Sequence, residues 1–105
     1  MKLTLARFLA ICAVAGFAHG QTLDFFTVKS CSGAASEEFR DVGCNVCVDP
    51  PGDWEAVSIT DIGSNQRWES HNENGCTAAS LVGQGFGPAC DIAGHTAIRS
   101  FFVAC

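Results

Sequence analysis

The stretch Trp68-Glu69-Ser70-His71-Asn72-Glu73-Asn74-Gly75-Cys76 combines an aromatic and acidic strand opening with a glycine seven residues after the aromatic. The Asn-Gly step within it is a turn signal, because glycine tolerates the positive φ that tight turns require. The same spacing occurs earlier in the chain, where Phe26 precedes Gly33 by seven positions. We therefore predict that the chain contains two copies of one short, β-rich unit.

The internal repeat extends through both units at an offset of 42 residues without a gap. The matched pairs fall at turn and strand-start positions and are Phe26 with Trp68, Gly33 with Gly75, Gly43 with Gly85, Asp49 with Asp91, Gly52 with Gly94, and Ser58 with Ser100. The two units span about residues 22–62 and 66–105. Each is predicted to begin with an aromatic strand and to end with a strand that opens at a serine.

Secondary-structure signals favour an all-β chain. Short β-favouring segments lie at 22–29, 56–60 and 98–103, bounded by clusters of Gly, Asp, Asn and Pro. Helix-favouring residues occur only at 34–40, and the glycine-rich run 83–88 is predicted to be a flexible turn. Short strands separated by frequent turns indicate a small sandwich or barrel.

The N-terminus, residues 1–20, has the features of a secretory signal peptide. Lys2 and Arg7 lie near the start of an apolar run, Leu3 to Phe17, which is followed by the small-residue site Ala18-His19-Gly20. Cleavage after Ala18 and an uncleaved anchor are the alternatives, although the run is shorter than the roughly 20 apolar residues of a membrane span. We therefore expect a secreted, extracellular protein whose single mature domain is 21–105.

The cysteines indicate a disulfide framework. Cys12 lies in the predicted signal peptide, so the mature domain keeps an even number, namely Cys31, Cys44, Cys47, Cys76, Cys90 and Cys105. Such a number in a short exported chain is typical of disulfide-stapled folds, whose small core alone is marginal. The Cys44-Asn45-Val46-Cys47 motif could serve redox or zinc chemistry, but no second ligand pair accompanies it, so we predict structural bridges.

The charge of the mature domain excludes several function classes. Loss of residues 1–20 leaves four basic residues against eleven acidic ones, a net charge of −7 with histidine neutral. Nucleic acids and anionic membranes would repel such a protein. No second long apolar run follows, so we expect no membrane insertion. We also expect a monomer.

The repeat resembles the βγ-crystallin Greek-key motif. That family opens each motif with an aromatic-acidic strand, places a glycine seven residues after the aromatic, and closes it with a strand that starts at serine. The resemblance implies an all-β, disulfide-stapled sandwich of two Greek keys. The family's second aromatic is replaced here by Cys31 and Glu73. In size and cysteine use, the chain is similar to fungal small secreted cysteine-rich proteins, including killer-toxin-like ones, many of which are regarded as effectors.

The resemblance and the repeat together suggest a disulfide pattern. If both units share one internal bridge, the pairs are Cys31–Cys47 and Cys76–Cys90, which leaves Cys44 to bond with Cys105. This is one of fifteen connectivities that six cysteines allow.

Calcium binding is a family property that this sequence does not support. The windows that correspond to the family's calcium signature are residues 53–58 and 95–100. Trp54 and Val57 in the first window, and His95 and Ile98 in the second, lack the side-chain oxygens that Ca²⁺ requires. Arg99 also places a positive charge where a hydroxyl ligand is wanted. We expect no cofactor and no metal site.

The remaining chemical groups do not form a catalytic motif. His71 and His95 are not accompanied by a nucleophile motif, so we predict that they lie at the surface or in turns. The carboxylates are interpreted as an acidic solvated surface, and Trp68 as a core residue. Trp54 follows a proline-rich loop, and it is our candidate for a contact with a ligand.

These observations predict a non-enzymatic protein that acts outside the cell by binding another organism's molecules through exposed loops. Its partner would be an extracellular protein or a glycan. The alternatives are a killer-type antimicrobial toxin and a cell-wall polysaccharide-binding module with Trp54 as its aromatic contact.

Overall fold

The computed structural model describes residues 20–105, and the predicted signal peptide lies outside the described residues apart from Gly20. Within this part, the chain forms antiparallel β-strands and one short 3-10 turn at Ala78–Ser80. The strands are β1 (Gln21–Phe26), β2 (Glu37–Val42), β3 (Val46–Val48), β4 (Ala56–Thr60), β5 (Arg67–His71), β6 (Leu81–Phe86), β7 (Ala89–Ile92) and β8 (Ser100–Val103). The prediction of an all-β fold is confirmed.

Two four-stranded sheets form, and each borrows one strand from the other half of the chain. One sheet has the order β2-β1-β4-β7, and the other has the order β6-β5-β8-β3. The two orders correspond strand by strand, because β1, β2 and β4 match β5, β6 and β8. The third strand of each half, β3 or β7, pairs with the last strand of the opposite half.

The core lies between the sheets and follows from strand alternation, because successive side chains in a strand point to opposite faces. Leu23 and Phe25 of β1 are fully buried, as are Val57 and Ile59 of β4. The facing sheet and the connecting segments contribute Trp54, Ile62, Trp68, Ala93, Ile98, Phe101 and Val103 to the same cluster. The Trp68 ring stacks on Phe101 at a centroid distance of 5.5 Å, which confirms the predicted core role of Trp68.

The two predicted hairpin glycines have nearly the same backbone conformation. Gly33 has a φ of 84° and Gly75 has a φ of 85°. In the second half, the fully buried Ser100 ties this hairpin to β8, since its hydroxyl donates to the Glu73 carbonyl at 2.6 Å. The same oxygen accepts a hydrogen bond from the Cys76 backbone amide at 3.0 Å.

The ungapped repeat, however, matches the glycines and not the strands. Gly33 follows the end of β1 by seven residues, whereas Gly75 follows the end of β5 by four. The last carbonyl of each opening strand accepts a backbone hydrogen bond. The Glu55 amide donates to the Phe26 carbonyl at 2.9 Å, and the Arg99 amide donates to the His71 carbonyl at 2.8 Å. Glu55 and Arg99 are 44 positions apart, so the closing strands β4 and β8 correspond at an offset of 44 residues and not 42. The counterpart of Ser100 is therefore Ala56 and not Ser58.

Two local expectations are wrong. The helix-favouring segment 34–40 contributes to β2, an edge strand that pairs with β1. The glycine-rich run 83–88 is largely strand, because β6 extends to Phe86. A Cβ at Gly85 would lie 2.6 Å from the Trp68 ring, so glycine here makes room for the indole and does not mark a flexible turn.

The disulfides are Cys31–Cys90, Cys44–Cys105 and Cys47–Cys76. The predicted Cys44–Cys105 bridge is confirmed, and the two predicted bridges internal to each half are wrong. The reason is the strand exchange, because β3 carries Cys47 to the second hairpin and β7 carries Cys90 to the first. Each bridge between a hairpin and an exchanged strand therefore links the two halves.

Candidate functional site

The candidate site is a cleft of about 280 Å³ at the side of the sandwich where the edge strands β6 and β7 approach each other. Its lining consists of Ser70, Val82, Asp91, Ile92, Ala93, Gly94, His95, Thr96 and Ile98. The cleft thus draws on β5, β6, β7 and the loop that leads to β8.

Three positions that face the interior of the sandwich here lack apolar side chains. Ser70 of β5 is paired in register with Gly83 of β6, and Asp91 of β7 is paired with the inward-facing Val57 of β4. A Cβ at Gly83 would lie 2.6 Å from the Ser70 hydroxyl oxygen and 3.4 Å from Asp91 Oδ1. The glycine therefore keeps open the space into which the serine and the aspartate project.

The Ser70 hydroxyl is a buried polar group without a partner among the described residues. Ser70 is 1% exposed, and its oxygen has no hydrogen-bond partner there. A buried hydroxyl without a hydrogen bond costs of the order of 1–3 kcal/mol. Gln21 Oε1, Asp24 Oδ1 and Trp68 Nε1 are likewise buried without a partner among the described residues, so Ser70 is distinguished by its place in the cleft, where a bound polar group can supply the missing bond.

Asp91 supplies the only carboxylate in the lining of the cleft. Burial raises the pKa of the Asp91 carboxyl above its ordinary value, and a weaker side-chain hydrogen-bond interaction with Ser70 lowers it. The Ser70 hydroxyl thus lies beside this carboxyl without the short, aligned geometry of an ordinary hydrogen bond. Desolvation has this effect because it disfavours the charged form. The carboxylate is therefore held in a position that penalises its charge.

No lysine or arginine in 20–105 forms an ion pair with Asp91, because each one pairs with another carboxylate. Their partners are Glu55 for Lys29, Glu38 for Arg40, Glu69 for Arg67 and Asp53 for Arg99. The Lys29 ammonium also donates to the Ala93 and Gly94 carbonyls, at 2.8 and 3.3 Å. Apart from the imidazole of His95, which also lines the cleft, a countercharge for Asp91 would therefore have to come from outside this part of the chain.

The rim of the cleft carries both apolar and polar side chains. Val82 is 49% exposed and Ile92 is 44% exposed, so both present hydrocarbon at the surface. His95 and Thr96 are also exposed and bring an imidazole and a hydroxyl to the lining. The cleft can therefore bind a small group that carries hydrogen-bond donors or positive charge at one end and hydrocarbon along its length.

A second polar cluster lies on the outer face of β5. The prediction that His71 lies at the surface is wrong, since it is 1% exposed. Its Nδ1 lies 3.1 Å from Ser80 Oγ, and its Nε2 lies 3.1 Å from Glu69 Oε1. Glu69 also pairs with Arg67, and the Arg67 guanidinium is the main reason why the pKa of Glu69 lies below its usual value.

This Ser80–His71–Glu69 row has the composition of a hydrolase triad but not its accessibility. Ser80 is 3% exposed, and its hydroxyl donates to the Thr77 carbonyl at 2.9 Å and accepts from the Thr77 hydroxyl at 2.8 Å. A nucleophile must reach its substrate. The row therefore fixes the 3-10 turn against β5.

Trp54 does not present its ring to a ligand, which corrects the predicted contact role. The residue is 5% exposed, and its ring meets Phe25 edge-on at a centroid distance of 5.5 Å. Its Nε1 donates to the Pro50 carbonyl at 3.2 Å. The proline-rich loop that suggested an exposed aromatic instead folds over the indole and buries it.

The other predicted site residues have structural positions. All six cysteines of residues 20–105 form disulfides, so the C-x-x-C cysteines bond to separate partners, Cys105 and Cys76. Among residues 20–105, no group of three or more His, Cys, Asp or Glu side chains is arranged to hold a metal ion. In the two windows compared with the calcium signature, Asp53 instead pairs with Arg99 at 2.8 Å.

Comparisons with known proteins do not assign a family or a function to this chain. No protein-family model matches the sequence, and neither the curated proteins nor the solved structures contain a significant match. In residues 20–105 there is no helix with the length and apolar character needed to cross a membrane.

The sequence interpretation missed the cleft, although one signal was present. Asp91 was noted only as the repeat partner of Asp49, and Ser70 only as part of the strand opening. Once β5 and β7 are assigned, both side chains fall on the inward-facing side of their strands. A carboxylate and a hydroxyl at such positions are exceptions to the apolar pattern, and such exceptions are where functional groups are expected.

Proposed function

We propose that this chain is a secreted, non-enzymatic binding protein that acts outside the cell on another organism's molecules, in the manner of a fungal effector. Three disulfides in a domain of this size support export, since such bridges persist in oxidising compartments. The apolar run at the N-terminus supports the same conclusion.

We further propose that its fold is a βγ-crystallin-like pair of Greek keys. The corresponding strand orders of the two sheets, each completed by the third strand of the opposite half, support this assignment. The shared positive φ of Gly33 and Gly75 and the bonding of Ser100 to the second hairpin support it as well.

The observation that carries the binding function is the polar interior of the cleft. Ser70 is buried without a hydrogen bond, and Asp91 has no ion-pair partner among the described residues. Groups that cost stability without a partner are expected where a ligand supplies one. Binding of an extracellular protein or glycan at this cleft would satisfy both groups.

The test is a binding panel with the oxidised protein expressed from the full chain through a secretory pathway. Labelled protein would be exposed to intact fungal and bacterial cells, plant tissue, insoluble polysaccharides and extracellular protein extracts. We expect saturable retention on one class, reduced at least tenfold by Asp91→Asn and unchanged by the exposed-site control Glu37→Gln. Retention that Asp91→Asn leaves unchanged, or no retention at all, would overturn the proposed cleft function.

The two alternatives make different predictions in the same panel. A killer-type toxin would arrest the growth of a susceptible microbe, and a wall-binding module would be retained on glucan or chitin. The burial of Trp54 removes the aromatic platform on which the wall-binding hypothesis relied.

A further inference from the structure

We propose that the cleft takes a lysine side chain of a partner protein, whose ammonium group bonds to Asp91 and Ser70 while its methylene chain lies between Val82 and Ile92. This inference rests on the proposed binding function of the cleft and names the chemistry of its ligand.

Charge balance is the first argument. A partly buried carboxylate costs free energy unless a cation pairs with it. Every lysine and arginine of residues 20–105 already pairs with another carboxylate, so none of them supplies a cation to Asp91 and a lysine of a partner can do so. A protein with a net charge of −5 over its full chain also attracts basic partners at long range.

Hydrogen bonding favours an ammonium group over a guanidinium group. A lysine ammonium has three donors, which Asp91, the Ser70 oxygen and one polar group of the rim can accept. An arginine guanidinium has five donors in a flat fork, and a bidentate pair with the carboxylate of the cleft uses two of them. Ser70 and one polar group of the rim could accept two more, so at least one guanidinium donor would have no acceptor among the same groups.

The shape and polarity of the cleft fit a side chain with an apolar stem. A volume of about 280 Å³ lies at the lower end of the range for ligand pockets, which suits one side chain. Lysine buries its methylene stem along apolar surface and keeps its charge at the tip. The exposed hydrocarbon of Val82 and Ile92 provides that surface above the polar floor.

A sugar ligand fits less well. Extracellular sugars commonly stack on an exposed aromatic ring, and no Phe, Tyr or Trp lines the cleft. Trp54, the residue that sequence reasoning suggested for this role, lies in the core.

The test is an NMR titration of the oxidised protein with Nα-acetyl-lysine-N-methylamide. Three comparison ligands separate the alternatives: the norleucine analogue has the stem without the charge, the Nε-acetylated analogue has a neutral amide, and N-acetylglucosamine represents a glycan. We expect the lysine compound alone to shift the amide resonances of Ser70, Val82, Asp91 and Ile92 in a saturable manner. Higher salt should weaken the effect.

Variants assign the effect to the named groups. Asp91→Asn keeps the shape of the side chain and is expected to weaken binding at least tenfold, and Ser70→Ala is expected to weaken it several-fold. Glu37→Gln removes an exposed charge from β2 and should leave binding unchanged. Each variant is first shown by its amide spectrum to be folded, so that a loss of binding reports on the cleft.

The outcomes separate this inference from the proposed function. If the lysine compound leaves the cleft resonances unmoved, or if norleucine binds as well, the lysine inference is overturned. If Asp91→Asn nevertheless abolishes retention in the binding panel, the proposed function stands with another ligand. Saturable shifts with N-acetylglucosamine would overturn the lysine inference and assign the cleft to a glycan.

Discussion

Trp54 and Ile98 exchange both of their backbone hydrogen bonds, with N···O distances of 2.9 and 2.8 Å. They hold matching positions in the two halves, because each immediately precedes the residue that bonds to the end of its own opening strand. This backbone pair therefore links the two halves through equivalent residues, in addition to the exchanged strands and the disulfides. Both side chains belong to the core cluster, so this joint is also packed.

Trp54 is consequently predicted to stabilise the fold and not to bind a ligand directly. Trp54→Ala should lower the free energy of unfolding by about 3–5 kcal/mol, because it leaves a large cavity beside Phe25. Trp54→Phe should cost less, since it keeps an aromatic ring and loses the bond to Pro50. Urea unfolding followed by far-UV circular dichroism measures both. Little loss of stability in Trp54→Ala would contradict the core position.

The exchanged bridges give a second prediction. Mapping of peptides under non-reducing conditions should recover Cys31 joined to Cys90 and Cys47 joined to Cys76. Replacing Cys31 and Cys90 together by serine should lower the free energy of unfolding by about 2–5 kcal/mol and leave no free thiol.

The matched control replaces Cys31 and Cys47 together. It removes one cysteine from each of two bridges, so Cys76 and Cys90 should remain as free thiols or form a non-native bridge. If this variant has no free thiol and keeps the native fold while the first variant misfolds, the two bridges lie within the halves after all.

The part of the fold that the sequence predicts is the part set by local chemistry. Strand β4 is found at the predicted residues, and the two glycines have the positive φ that their turns require. The exchange of β3 and β7 is set by packing between distant segments, and therefore no local pattern revealed it. The same exchange explains why the predicted bridges Cys31–Cys47 and Cys76–Cys90 are wrong, since each hairpin cysteine bonds to a strand from the opposite half.

The cleft escaped prediction for a related reason. Ser70 and Asp91 are separated in sequence and belong to opposite sheets, so only the assembled sandwich brings them together. One hydroxyl and one carboxylate do not form a sequence motif with a recognisable spacing. What identifies them is their inward orientation, and that requires the strand registers.

The serines of the repeat give a third prediction, in which one residue is the control for the other. Ser100→Ala removes the bonds to the Glu73 carbonyl and the Cys76 amide in a fully buried position, so it should cost about 1–3 kcal/mol. Ser58→Ala alters a half-buried residue on the outer face of β4 and should change stability by less than about 0.5 kcal/mol. Equal losses would contradict the 44-residue correspondence of the closing strands.

Gly85 of β6 gives a fourth prediction. Gly85→Ala would place a Cβ 2.6 Å from the Trp68 ring, so the indole would have to move and stability should fall by about 1–3 kcal/mol. Gly43→Ala is the control, because its Cβ would meet only the Val46 side chain at 4.0 Å. Thermal unfolding of the two variants should separate them clearly. A Gly85→Ala variant as stable as the control would mean that β6 does not pack against the indole.

The carboxyl of Asp91 gives a prediction about pH. Because burial raises its pKa in the fold, the unfolded chain releases this proton at lower pH than the folded protein does. The contribution of Asp91 to stability therefore falls as the pH rises from the ordinary aspartate value of 3.8 through the raised value in the fold, and the loss is complete above it. Asp91→Asn removes this loss.

The free energy of unfolding of Asp91→Asn should accordingly exceed that of the parent protein at pH 7, and the difference should shrink towards pH 3. Urea unfolding at both pH values measures it, with Glu37→Gln as the control for a simple change in net charge. A variant that gains stability and loses ligand binding would show that the aspartate is kept at a cost to the fold. If Asp91→Asn is instead less stable than the parent at pH 7, the carboxylate supports the fold, and the binding role loses its main physical reason.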